Sequence, residues 1–123
     1  MVGNITPQPT IGVKDLDVAK AFYTNVLGLE VAEENPYVLM FKSGNGMVEV
    51  YKTDFAGTNK ATYVTWQVSD IDAEVTELLE KDVKFEHYDD MPGVTREGEV
   101  HTMGDDKAAW FKDPDGNILC LHQ

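Results

Sequence analysis

Apolar and polar positions along the 123-residue chain follow one order of periods, and that order occurs twice. The stretch Thr10-Ile11-Gly12-Val13-Lys14-Asp15-Leu16-Asp17 matches Thr65-Trp66-Gln67-Val68-Ser69-Asp70-Ile71-Asp72 at an offset of 55 positions. Each copy starts as a strand, then meets an Asp-apolar-Asp step. There Asp15 or Asp17, and Asp70 or Asp72, can accept from the free N–H groups of a first helical turn. Apolar residues then recur at three-to-four spacing: Leu16, Ala19, Phe22, Tyr23, Val26 and Leu27 in the first copy, Ile71, Val75, Leu78 and Leu79 in the second. Gly28 suits the left-handed residue that ends a helix, and Asp82 lies near the matching place.

Three strands are predicted after each helix. In the first copy they span about Leu29–Glu34, Tyr37–Lys42 and Met47–Lys52, with the turn Ser43-Gly44-Asn45-Gly46 between the last two. In the second they span about Val83–Tyr88, Lys107–Lys112 and Asn117–His122, with the turn Asp113-Pro114-Asp115-Gly116. The prediction is a single α+β domain over residues 1–123, built of two βαβββ modules at about 5–55 and 61–123. The second copy carries an insertion, Asp89–Asp106, rich in glycine and acidic residues. It reads as a binding loop or as a mobile surface loop.

Strand side chains alternate between faces. Pro9, Ile11 and Val13 would meet the first helix, with Gln8, Thr10 and Gly12 opposite. Val64, Trp66 and Val68 would meet the second, with Tyr63, Thr65 and Gln67 opposite. In the last strand of each copy Val48 and Val50 alternate with Met47, Glu49 and Tyr51, and Leu119 and Leu121 alternate with Ile118, Cys120 and His122. The face away from the helices is thus mixed and carries few full charges, as a pocket lining does. Glu49 stands out there as a carboxylate between valines. It needs a partner or a raised pKa, either as part of a site or as an edge or dimer contact paired with a lysine.

Composition narrows the partners. Hydrophobic residues make up 42% and charged residues 26%, as in a globular chain. The net charge of −12 repels phosphate backbones and anionic membranes, so neither nucleic acid nor membrane is expected as a partner. The same charge favours a cationic ligand, or simply keeps the chain soluble. Cys120 is the lone cysteine, so no disulfide forms within the chain. With no basic-then-apolar leader at the N-terminus, a cytoplasmic location is expected.

Four stretches resemble the vicinal oxygen chelate superfamily of glyoxalases, bleomycin-resistance proteins, fosfomycin-resistance enzymes and extradiol dioxygenases. They are Val13-Lys14-Asp15-Leu16-Asp17 with Phe22-Tyr23-Thr24-Asn25-Val26-Leu27-Gly28-Leu29; Val48-Glu49-Val50; Val68-Ser69-Asp70-Ile71-Asp72; and Trp110-Phe111-Lys112-Asp113-Pro114-Asp115-Gly116-Asn117. The resemblance implies two βαβββ modules in pseudo-twofold repeat, forming a curved, partly closed mixed sheet, and a homodimer. It also implies metal ligands at Gln8, Glu49, Tyr63 and Cys120. Gln8 and Glu49 suit a metal, whereas Tyr63 stands where the family has His and Cys120 where it has Glu. Extradiol dioxygenase chemistry is therefore not expected. Ordinary glyoxalase chemistry would lack its second-module base.

The expectation is a small-molecule-binding protein with a degenerate metal site. Glu49 is its central residue, and Gln8, Thr10, Tyr51, Tyr63, Thr65, Cys120 and His122 line the site. The cofactor is none, or a divalent metal on Gln8 and Glu49. Cys120 could add a thiolate and His122 could stand in for Tyr63, or the two could be a buried small residue and a surface histidine. His87 and His101 read as surface histidines, with His101 able to approach the pocket if its loop closes. The alternatives are a metal-dependent lyase or isomerase with Glu49 as ligand or base, and an assembly module whose cup is filled by its own side chains.

Overall fold

In the computed structural model, which describes all 123 residues, contacts cluster into two compact units. The first is Met1–Lys60 together with Pro114–Asn117. The second is Ala61–Asp113 with Ile118–Gln123.

The first unit runs β1 (Thr10–Val13), α1 (Leu16–Ala21), a π-helical turn (Phe22–Val26), β2 (Glu30–Glu34), β3 (Val38–Ser43) and β4 (Gly46–Lys52). Asp15 caps α1, its Oδ1 accepting from the N–H groups of Asp17 at 2.8 Å and Val18 at 3.2 Å. The helix widens where the Thr24 hydroxyl donates to the Lys20 carbonyl at 2.6 Å and the Leu27 N–H reaches back to Phe22. Gly28 ends it at φ 72°. The sheet order is β1-β4-β3-β2, with β1 and β4 parallel and the other pairs antiparallel. Ile11, Val13, Leu39, Phe41, Val48 and Val50 are buried, as are Ala19 and Tyr23 of the helical segment. Tyr23 and Phe41 meet at a ring separation of 5.7 Å. Full burial of each large apolar side chain contributes roughly 1.5–3 kcal/mol.

The Asp-Pro-Asp-Gly-Asn turn has a job beyond reversing the chain, because its last four residues belong to the first unit. Asn117 is fully buried. Its Nδ2 donates to the Gly12 carbonyl at 2.8 Å, and its Oδ1 accepts from the Gly57 N–H at 3.2 Å. The Asp115 carboxylate accepts from the Lys14 N–H at 3.3 Å.

The second unit runs β5 (Thr62–Gln67), α2 (Ile71–Glu80), β6 (Phe85–Glu86), β7 (Thr95–Glu97), β8 (Val100–Met103), β9 (Asp106–Lys112) and β10 (Ile118–His122). Asp70 caps α2 through the Ala73 N–H at 3.1 Å, and Asp82 follows it at φ 63°, the one non-glycine residue with positive φ. The order is β5-β10-β9-β8-β7, with β6 also on β9 and β5 parallel to β10. Ile71, Val75 and Leu78 are buried, whereas Leu79 is 45% exposed, so the apolar stripe of α2 is narrower than expected.

The α+β class with two βαβββ modules stands. The strands form two separate mixed sheets, neither closed into a barrel. The insertion Asp89–Asp106 is not a plain loop. It holds β7 and β8, a hairpin that extends the second sheet, turning at Gly98 and Gly104, each at φ 61°. His101 accordingly leaves the surface: it lies on β8 and is fully buried. The strand expected over Val83–Tyr88 shortens to Phe85–Glu86. No helix is long and apolar enough to cross a membrane.

Candidate functional site

In the first unit Val48 and Val50 are buried beneath the helix, so the intervening Glu49 falls on the other face. The register continues the row: Thr10 stands opposite Glu49, Glu49 opposite Met40, and Met40 opposite Glu33. A cavity of about 290 Å³ opens here, lined by Glu33, Asn35, Val38, Met40 and Glu49. Two carboxylates therefore flank a thioether over an apolar floor. Neither has a cationic partner within the chain, whereas other carboxylates of the sheet do. Lys20 pairs with Glu34 at 3.0 Å, and Lys42 reaches Glu30 at 3.7 Å.

The one hydrogen bond to the Glu49 side chain is weak. The Thr10 hydroxyl lies 3.4 Å from Oε2 and 3.2 Å from the Gln8 carbonyl, and its single proton serves one at a time. Gln8 precedes β1, and its side chain is exposed. Tyr51 is 39% exposed, in register with Gly12 and Val38 one row further along. A Cβ at Gly12 would lie 2.6 Å from the Thr53 methyl carbon, so a larger residue there would have to turn the Thr53 side chain aside.

The second unit builds the matching row Thr65–Cys120–Trp110–Glu86. Cys120 is buried, and its Sγ lies 3.4 Å from the Leu121 carbonyl, to which it donates. Burial pushes its thiol up to about 11, against smaller downward pulls from Thr65 and the Ala109 backbone. Cys120 is thus a small buried residue with a protonated thiol. Tyr63 sits at the register irregularity between Ile118 and Leu119, where Thr62 and Val64 are paired and it is not. Thr65 is exposed. In the next row the His122 Nδ1 is 2.7 Å from Gln67 Oε1, and its Nε2 is 3.4 Å from Asp106.

Sequence reasoning missed an aromatic group on this face. Trp110 contacts Tyr88 and His101 edge-on, at ring separations of 5.2 Å and 4.9 Å. Its Nε1 donates to the Thr62 hydroxyl at 3.2 Å. The His101 Nε2 accepts from the Tyr88 N–H at 2.9 Å, so its proton sits on Nδ1, 3.3 Å from the Ala108 carbonyl. Burial holds His101 below the usual histidine value and Tyr88 above the usual phenol value. The alternation of Trp110 with Ala109 and Phe111 placed the tryptophan on this face; nothing local placed Tyr88 or His101 beside it.

These donors do not fit a catalytic divalent metal. No three His, Cys, Asp or Glu side chains gather as a metal ion would require. Gln8 and Glu49 supply one neutral and one charged oxygen. The second-module positions supply a phenol and a buried, protonated thiol, both poor ligands in that form.

The family model for the glyoxalase/bleomycin resistance protein/dioxygenase superfamily matches residues 5–121. A glyoxalase family protein from Enterococcus faecalis is similar over the whole of both chains, at 22% identity and a TM-score of 0.76. A lactoylglutathione lyase from Agrobacterium tumefaciens is similar over 97% of this chain and 92% of its own, at 21% identity and a TM-score of 0.71. An antibiotic binding protein from Streptomyces is similar over 98% of this chain and 97% of its own, at 21% identity and a TM-score of 0.66. These likenesses show a shared fold. No curated protein matches the chain.

Proposed function

This chain belongs to the glyoxalase/bleomycin resistance protein/dioxygenase superfamily, and on that premise we propose that it binds a small organic cation without turning it over. The cation sits on the sheet face of the first module, against Glu49 and Glu33. One observation carries the reading: two carboxylates without cationic partners flank Met40 across a cavity of about 290 Å³. An apolar floor with a few placed charges is the usual composition of a small-molecule site. Partial burial keeps Glu49 less screened than a fully exposed carboxylate. The net charge of −12 raises the local concentration of cations around the whole chain. The antibiotic binding protein among the structural relatives supports a binding role on this fold.

The enzymatic alternative is less well supported. A lyase or isomerase using Glu49 as ligand or base needs a metal or a second acid–base group. The matching second-module position holds the Cys120 thiol, protonated at neutral pH.

Benzyltrimethylammonium, an aromatic quaternary cation, is a direct probe. Its titration should shift the Met40 methyl and the Val38 methyls in the NMR spectrum, saturating at one equivalent per chain. Linear shifts spread over the acidic surface, with Met40 unmoved, would refute the site.

A further inference from the structure

The opposite face of the same sheet carries a second and larger cavity, of about 420 Å³. We propose that it is a site for a small organic anion, a carboxylate or phosphate head on a short apolar body, held by Lys14 and Lys52.

Its place in the fold comes first. Val48 and Val50 are buried on the helix side, and Lys52 continues that parity at the end of β4, opposite Val13 at the end of β1. Lys14 follows β1 directly and precedes α1. The cavity therefore opens beyond the carboxyl ends of the parallel pair of this sheet. In open sheets that is where the chain departs into a helix and leaves room for a ligand. Leu16, Leu39 and Pro36 give it an apolar wall.

Charge comes second. Of the 10 basic residues in the chain, Lys14, Lys20 and Lys52 line this one cavity. The carboxylates beside them are largely committed. Glu34 is taken by Lys20 at 3.0 Å, and Asp15 is turned to the start of α1, accepting from two of its N–H groups. Asp15, which keeps its charge, and Asp17 also line the cavity, but the ammonium groups of Lys14 and Lys52 lie within ion-pair distance of neither, the lysine ion pairs of the chain being those of Lys20, Lys42, Lys81 and Lys112. Asn35 adds a donor. Its Oδ1 is held by the Tyr37 and Val38 N–H groups at 2.9 Å and 3.0 Å, which leaves Nδ2 for a ligand. Two ammonium groups and an amide around an apolar wall match an anion with an apolar body, and do not match the cation proposed for the other face.

The test is an NMR titration of the full chain with benzoate and, separately, phenylphosphate, each at constant ionic strength. Either anion should shift the amides of Lys14, Leu16 and Lys52, which line this cavity and not the other, along saturable curves. The stronger of the two identifies the head group. The Lys14→Met/Lys52→Met variant, whose other amide resonances should be unmoved, should weaken that binding about tenfold or more. Benzyltrimethylammonium should leave these three amides still, so failure here and failure of the cation site read out separately. Shifts that grow linearly and equally at Lys60, Lys84 and Lys107, or an affinity unchanged in the double variant, would overturn the proposal.

Discussion

Thr10 and Glu49 stand opposite one another in the parallel ladder of the first sheet, with the Thr10 hydroxyl 3.4 Å from Glu49 Oε2. That long contact is the sole side-chain hydrogen bond to a carboxylate flanked on its own strand by two buried valines. A structural role would have given Glu49 a lysine or several N–H donors. It has neither, although lysines engage Glu30 and Glu34 on β2 of the same sheet.

Glu49→Gln should accordingly leave the fold almost untouched. The substitution keeps shape and removes one charge with one weak partner, so stability should move by no more than about 0.5 kcal/mol. Urea denaturation measures it; a loss of several kcal/mol would mean that Glu49 is structural.

Asn117 predicts the opposite outcome. Asn117→Ala would strip the Gly12 carbonyl and the Gly57 N–H of their partners. The expected cost is about 2–4 kcal/mol, seen as a lower urea midpoint at unchanged slope. Gly57→Ala should be as damaging, because Gly57 sits at φ 69° and a Cβ there would collide with the Asp115 carbonyl.

Cys120 should be chemically silent in the native protein. With its thiol at about 11, little thiolate exists at pH 8, and the side chain is 4% exposed. Alkylation by iodoacetamide at pH 8 should be at least about tenfold slower than in urea. The linkage has a definite sign. Above the ordinary value of 9.0 the unfolded chain gives up this proton and the folded chain holds it, so stability should fall as pH rises from about 9 to 11. Equal alkylation rates in both states would contradict the burial.

His101 should destabilise the protein in acid. Its Nε2 is occupied by the Tyr88 N–H, so the folded state resists a second proton. Below the ordinary value of 6.5 the unfolded chain binds that proton and the folded chain does not. Stability is therefore complete above 6.5, is lost as pH falls through it, and levels off below the lowered folded value. A Tm profile from pH 7.5 to 4.5 should show this slope, and His101→Gln should flatten it. An identical slope in the variant would place the titration elsewhere.

The repeat at an offset of 55 made both modules legible, because strand, capped helix and strands recur with their punctuation. Asp15, Asp70, Gly28 and Asp82 each do what local chemistry predicts. The face of Glu49 was legible too, since valines on either side leave a strand residue one direction to point. The hairpin β7–β8 was not. Thr95-Arg96-Glu97 carries no apolar alternation, and its pairing is set by the turn starting at Gly98 and by the neighbouring edge of β9. Gly98-Glu99 and Gly104-Asp105 were the available signals, each a left-handed glycine opening a two-residue turn as Gly44 does at φ 54°. The aromatic group of Tyr88, His101 and Trp110 was hidden for the same reason: it is assembled by that long-range pairing. The cavity beside Lys14 and Lys52 was invisible because the two residues are 38 positions apart and meet through the parallel register of β1 and β4.

The central claim is that Glu49 binds a cation. Isothermal titration of benzyltrimethylammonium into the wild-type chain and the Glu49→Gln variant, at low and fixed ionic strength, tests it most directly. We predict one site per chain and a Kd weakened about tenfold or more by the substitution, the effect of losing one partly buried charge partner. Equal affinity in the two proteins would contradict the account.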